Sequence, residues 1–166
     1  MCAKASVIEQ LESRRLLAFA LSVNFQPAGA SVPAGYVADT GATYANRGNG
    51  FSYGWNASAS SATRDRNNSA SPDQRYDTLV HTQLYGARTW EVAVPNGMYS
   101  VRIVAGDPSY TDSNIRFNAE NTIIADGKLS SSKHFIDAAK AVAVSDGKLT
   151  ISNASGASNK SSASCR

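Results

Sequence analysis

Cysteine is nearly absent: Cys2 and Cys165 are the only two in 166 residues, and each stands next to a terminus. That excludes a disulfide framework and a zinc site, both of which need closer groupings of ligands. Ionisable groups are scarce too, at 17% of the chain. The 16 Lys and Arg against 13 Asp and Glu leave a net charge of +3. These charges are scattered, with no basic stripe and no interleaved aromatics, so nucleic acid is not an expected partner. No apolar run reaches the roughly 18 residues that a membrane-spanning helix needs, so no membrane insertion is expected. His81 and His134 are the only histidines, and no HExxH, GxSxG, P-loop or GxGxxG pattern occurs. The length suits one domain with tails rather than two domains.

What the chain does have, from residue 20 on, is short runs of Val, Ile, Tyr and Phe separated by Gly, Asn, Asp and Pro, the signature of an all-β protein. In TWEVAVPNGMYSVRIVAGD (89–107), Trp90, Val92 and Val94 alternate with Glu91 and Ala93. Pro95, Asn96 and Gly97 then supply a turn, and Tyr99, Val101 and Ile103 alternate with Ser100 and Arg102. This reads as a hairpin with one buried face. Further strands are expected at 21–25, 113–120, 121–126, 139–145 and 148–153. Asp126-Gly127 and Asp146-Gly147 are turn signals, the second joining another hairpin. Many short strands and no core helix of ten residues argue for a β-sandwich or barrel. Residues 27–88 form a long connection rich in Gly, Ser, Asn and Ala, where a rigid scaffold tends to carry its binding residues.

Residues 1–19 are expected to stand outside the fold as an export-type tag, helical or disordered. IEQLESRRLLA resembles the LEPR-x-LL motif at the N-termini of many secreted or surface proteins of environmental bacteria, with Ser13 where that motif has Pro. The resemblance implies a secreted or cell-surface protein.

Across residues 23–160, VNFQP, GYVADTGATY, GNGFSYGWN, TRDRN, SPDQRYDT, WEVAVPNGMYSVRIVAGDPSY and DGKLTISNASGASNK follow one another. In that order they resemble the malectin-like, galactose-binding-like carbohydrate-binding domains of bacterial extracellular proteins. The resemblance implies a jelly-roll β-sandwich over 20–160 that binds oligo- or polysaccharide through loops at one end. Tyr44, Tyr53 and Tyr110 match the aromatic positions that malectin uses around its ligand, with Asp107 beside them. The family runs on from its Asn-Lys pair into a final apolar strand. Here Asn159 and Lys160 are followed by SSASCR, which reads as a polar tail (161–166) in which the last strand is either truncated or diverged, with a sheet edge left unpaired.

Reaction chemistry has little to stand on. GDPSY (106–110) follows an alternating strand, so Gly106 and Asp107 read as a strand end and turn. The most charged stretch, RDRNNSASPDQRYDT (64–78), sets Arg within two residues of Asp65, Asp73 and Asp77. Such pairing suits a structural network better than general-acid work. Arg64, Asp65, Arg66, Asp73, Arg75 and Asp77 are therefore expected to hold the loop in one shape, with Arg64 the member most open to ligand. Sugar binding needs flat aromatic faces and planar polar groups. Tyr44, Tyr53, Trp55 and Tyr110 are the candidate platforms; Arg64, Asp107 and Asn159 are the candidate hydroxyl partners. Tyr53 and Trp55 also fit a strand as core residues. No cofactor is expected, although a structural calcium near Asp39 to Gly41 or Asp107 to Asp112 is a weak option. The resulting expectation is a non-catalytic carbohydrate-binding module. Its rivals are an adhesive surface domain and an accessory domain of a truncated glycan-active hydrolase or esterase.

Overall fold

Thirteen strands and two short helical turns follow the punctuation of the sequence in this computed structural model, which describes residues 19–158 and the backbone of residues 164–165. The strands are β1 (Val23–Phe25), β2 (Val37–Asp39), β3 (Ala45–Asn46), β4 (Ser52–Trp55), β5 (Thr63–Asp65), β6 (Thr78–Val80), β7 (Trp90–Ala93), β8 (Gly97–Gly106), β9 (Asn114–Ala119), β10 (Thr122–Lys128), β11 (Phe135–Val144), β12 (Lys148–Asn153) and β13 (Ser164–Cys165). A 3-10 turn (Ser60–Ala62) leads into β5, and α1 (Gln74–Asp77) leads straight into β6. One sheet has the order β11-β8-β13-β1-β2 and the other β10-β9-β12-β7-β4-β3, while β5 and β6 make a separate ribbon. The molecule is an all-β sandwich.

Period-2 alternation builds the core. Val101, Ile103 and Ala105 point inward from β8, and Trp90 and Val92 from β7, while Glu91 between them stays on the outer face. Phe25 sets its ring edge against Trp55 at 5.4 Å and Trp90 at 5.6 Å. Each such buried aromatic contributes about 2–3 kcal/mol through removal of apolar surface from water. Phe19 meets Phe51 at 5.7 Å and Tyr99 at 6.1 Å. The fold therefore takes in at least residue 19 of the expected tag, and residues 1–18 of that tag lie outside the described residues.

Neither expected hairpin forms. The strands flanking Pro95-Asn96-Gly97 are β7 and β8, which belong to opposite sheets, and the strands flanking Asp146-Gly147, β11 and β12, are likewise divided between the two. Each turn is an arch between layers, and the two arches clasp one another. Asn96 donates from Nδ2 to the Ser145 carbonyl at 3.0 Å and accepts the Gly147 N–H at 2.8 Å, while Val94 N–H reaches the Gly147 carbonyl at 3.0 Å. The alternation identified the inward faces of these strands but not their partners. A tight hairpin does occur between β9 and β10, where Glu120 and Asn121 take φ of 48° and 62°, the left-handed pair of a type I′ turn. Asp126-Gly127, read as a turn, lies inside β10 opposite Arg116 and Ile115.

The polar tail also departs from expectation. Ser164 and Cys165 pair through the backbone with Val104 and Ile103 on one side, and Cys165 with Val23 on the other. The first sheet is thereby closed in its middle instead of ending at an open edge. A strand inserted between two neighbours contributes backbone donors and acceptors, and these need no apolar side chains.

Candidate functional site

Strand β8 begins at the clasped arches and runs ten residues to Gly106, so its far end lies about 30 Å away. A Cβ at Gly106 would stand 2.1 Å from the His134 carbonyl, so only glycine lets β11 approach this closely. Just beyond, the Asp107 N–H donates to that same carbonyl at 3.2 Å, and the Asp107 side chain is fully buried.

Opposite Asp107, the charged loop after β5 is held by its own side chains. Asp77 accepts from Asn68 N–H at 2.9 Å and from Ser71 Oγ at 2.8 Å. Asp73 caps α1 by accepting the Arg75 N–H at 2.9 Å, and its carboxylate pairs with the Arg75 guanidinium. Asp65 accepts from Asn67 N–H and Gln74 Nε2, both at 3.3 Å. Arg64 donates from Nη1 to the Ser61 and Thr63 carbonyls at 2.9 and 2.7 Å. These five residues bond to one another, to neighbouring side chains and to nearby backbone.

Arg66 is the exception. It reaches 41 residues along the chain to Asp107, with Nε 3.1 Å from each carboxylate oxygen and Nη2 2.5 Å from Oδ2. The same guanidinium lies over the Tyr110 ring, 4.8 Å from its centroid, and Ser109 N–H completes the Asp107 shell at 2.8 Å. A buried carboxylate is tolerable only with such a set of donors. Asn68 ties the two loops together by donating to Ser109 Oγ at 3.0 Å.

Between these loops opens a cleft of about 440 Å³ lined by Arg64, Arg66, Asp107, Tyr110 and Asp112, with His81, Gln83 and Leu84 on the side that follows β6. Tyr110 is 56% exposed and Leu84 44%, so the rim is apolar and the floor polar. Burial first, then the positive charges of Arg64 and Arg66, push His81 from its ordinary 6.5 down to about 4. The unfolded chain therefore takes up a proton near pH 6.5 that the folded chain accepts only near pH 4, so folding weakens as pH falls through that window. The half-exposed site limits the effect to roughly 1–2 kcal/mol. Urea titrations at pH 7 and pH 4.5 should show a smaller loss of stability in His81→Gln than in the parent; equal losses would remove His81 from the account.

The site thus gathers Arg64, Asp107 and Tyr110 from the expected set. Tyr53 and Trp55 are not platforms: each is 3% exposed in the core. Tyr53 Oη donates to the Ala38 carbonyl at 3.0 Å, and Trp55 Nε1 to Asp39 Oδ1 at 2.9 Å. Alternation along β4 turned both inward. Tyr44 is half-buried on the outer face of the second sheet, with Lys148 Nζ 4.7 Å above its ring, and it does not line the cleft. Asn159 lies outside the described residues. Arg66, His81, Gln83 and Leu84 were not expected to line a site. The run HTQLYG after a strand, polar yet carrying Leu and Tyr, is the signal that marks three of them.

In the two segments named for calcium, Asp39 and Asp107 are engaged by N–H donors. Asp39 takes Trp55 Nε1 and Gly41 N–H on one oxygen and Trp90 Nε1 on the other, and both Asp107 oxygens face N–H donors. N–H groups aimed at a carboxylate present positive hydrogen where a cation would stand, which disfavours calcium at these two. Among the described residues no three His, Cys, Asp or Glu side chains gather to hold a metal, and no helix is long and apolar enough to cross a membrane.

No protein-family model matches the chain, and no curated protein does. Among solved structures it is similar to the YxiM protein of Bacillus subtilis, at 21% identity and a TM-score of 0.56. The match covers 87% of this chain but 38% of that one, and it is a likeness of fold.

Proposed function

We propose that this sandwich is a non-catalytic carbohydrate-binding module of an exported protein, and that the cleft between the β5–β6 ribbon and the β8–β9 loop receives the sugar. The observation that carries the reading is Tyr110: a ring more than half exposed, backed by the Arg66 guanidinium and standing over a polar floor. A pyranose offers an apolar face to such a ring and hydroxyls to the surrounding planar groups. The cleft volume is of the size that small ligands occupy. Binding at one end of a sandwich also agrees with the galactose-binding-like resemblance, and the LEPR-like segment agrees with export. In YxiM the corresponding fold is one part of a longer polypeptide, which is how a binding module is used.

The cleft suits binding better than reaction. Asp107 is locked onto Arg66, and a carboxylate paired in this way suits a structural role better than acid–base work. Open, shallow sites bind weakly, and multivalent display would raise the avidity.

A glycan array with the purified protein tests the reading. The expected result is binding to a subset of glycans that Tyr110→Ala weakens about tenfold, the loss of one stacking platform, while the melting temperature stays within a degree or two because the ring is exposed. An array on which nothing binds, or binding indifferent to Tyr110, would overturn it.

A further inference from the structure

Two arginines from one short strand end meet the cleft, and their side chains are used differently. Arg66 sets its Nε–Nη2 edge on the Asp107 carboxylate, the forked geometry that matches two oxygens at once. Arg64 spends only Nη1, on two backbone carbonyls. These bonds hold its guanidinium in place, and its Nε–Nη2 edge has no partner among the described residues. No described carboxylate comes within ion-pairing distance of Arg64, whereas Arg66, Arg75, Arg102, Arg116 and Lys148 each have one. A cation placed in a cleft, oriented by the backbone and lacking an anion, is arranged as a receptor for one.

Of the two acidic residues lining the cleft, Asp107 is fully buried and neutralised by Arg66, which leaves Asp112 as the exposed acid. Asp112 belongs at the same time to a second cleft, lined by Thr111, Asn114, Lys128 and Ser158, also of about 440 Å³. The two hollows adjoin at Asp112, which lines both, so a ligand longer than one ring could extend from one to the other. Lys128 in the second hollow is exposed and has no described ion-pair partner. The track thus presents one unpaired cation in each hollow, with the Tyr110 ring in the first.

We propose that the ligand is an acidic oligosaccharide, a chain of carboxylate-bearing sugars, with one uronate carboxylate received by the Nε–Nη2 edge of Arg64 and a following one near Lys128. This rests on the reading of the cleft as a glycan site and adds the class of glycan. A planar carboxylate is favoured over a point-like anion because the open edge of Arg64 is the same edge that Arg66 uses on Asp107. Neutral sugars would stack on Tyr110 but leave the Arg64 edge unanswered.

Uronate oligosaccharides of several sugar types, each beside its methyl ester and a sulfated neutral counterpart, provide the test by isothermal titration at 20 and 150 mM salt. The expected result is that at least one uronate binds about tenfold more tightly than its ester, and that the difference shrinks at the higher salt. Arg64→Gln should abolish that tenfold preference, so that acid and ester bind alike, and Lys128→Gln should lower the affinity for oligomers without affecting a single uronate. Arg64→Lys should restore part of the preference, a charge without the fork, and it guards against an effect of misfolding. If ester and acid bind equally, the acidic class is wrong and the glycan site stands. If the sulfated form is preferred to the uronate, carboxylate recognition is wrong. If neither acid nor ester binds, both the inference and the glycan reading fail.

Discussion

Asp39→Ala is expected to lower the free energy of unfolding by about 5 kcal/mol, a large share of the roughly 5–15 kcal/mol that stabilises a domain of this size. Asp39 is 1% exposed. Its carboxylate is the meeting point of both tryptophans in the chain, accepting Trp55 Nε1 at 2.9 Å and Trp90 Nε1 at 2.8 Å, with Gly41 N–H at 2.7 Å. Alanine would leave three buried donors without an acceptor, each costing about 1–3 kcal/mol, and would open a cavity between the indoles. Burial pushes the Asp39 carboxyl above its ordinary 3.8, and the three N–H groups pull it partly back. Asn at this position keeps one acceptor oxygen but turns an amide N–H₂ toward an indole N–H. Asp39→Asn should therefore fall between alanine and the parent. Because Trp55 and Trp90 are the only tryptophans, fluorescence-detected urea unfolding reports the bonded groups directly. A loss under about 1 kcal/mol in Asp39→Ala would mean that this junction is not a keystone of the core.

Arg66→Ala should cost about 3–5 kcal/mol, the usual penalty for leaving a buried charge without its partner. Asp107 has no exposed surface, and after the change only Ser109 N–H would still serve it. The double variant Arg66→Met with Asp107→Leu is expected to recover most of that loss, because a buried pair is stabilising only relative to its broken form. It should stop short of the parent by about 1 kcal/mol, the value of the Ser109 hydrogen bond. Urea midpoints for the two single variants and the double variant make a thermodynamic cycle. A cycle with no coupling would show that the bidentate contact is not energetically joined. Arg66→Lys separates charge from fork: it should retain part of the stability yet loosen Tyr110, which loses its planar backing.

The charged stretch 64–78 shows how far local reading reaches. Asp73 with Arg75, Asp77 with Asn68 and Ser71, and Asp65 with Gln74 are all partners within ten residues, and spacing alone suggests them. Arg66 stands in the same pattern, two residues from Arg64, and nothing local distinguishes their tasks. Its carboxylate waits 41 residues away, at the end of a strand from the opposite half of the chain. The aromatic candidates divide similarly. FSYGW has strand periodicity, so Tyr53 and Trp55 were legible as core; only the three-dimensional packing excludes the alternative in which they face ligand. Tyr110, flanked by polar and turn residues, was legible as exposed, but the cleft beside it draws on segments after β5, β6 and β8 that no short window contains.

The residues by themselves determined that this chain builds strands, which faces of those strands turn inward and that it carries no recognised catalytic motif. Those properties follow from side-chain alternation and turn chemistry, which act over a few residues. Tertiary structure decided which strands pair. Pro95-Asn96-Gly97 and Asp146-Gly147 serve equally well as hairpin turns or as arches between sheets, and only the packing of Trp90, Val92, Val101 and Ile103 across the core selects the arch. It also decided the cleft, because a charge finds its counter-charge through space, and Arg64 and Arg66 differ only in what the fold sets before them.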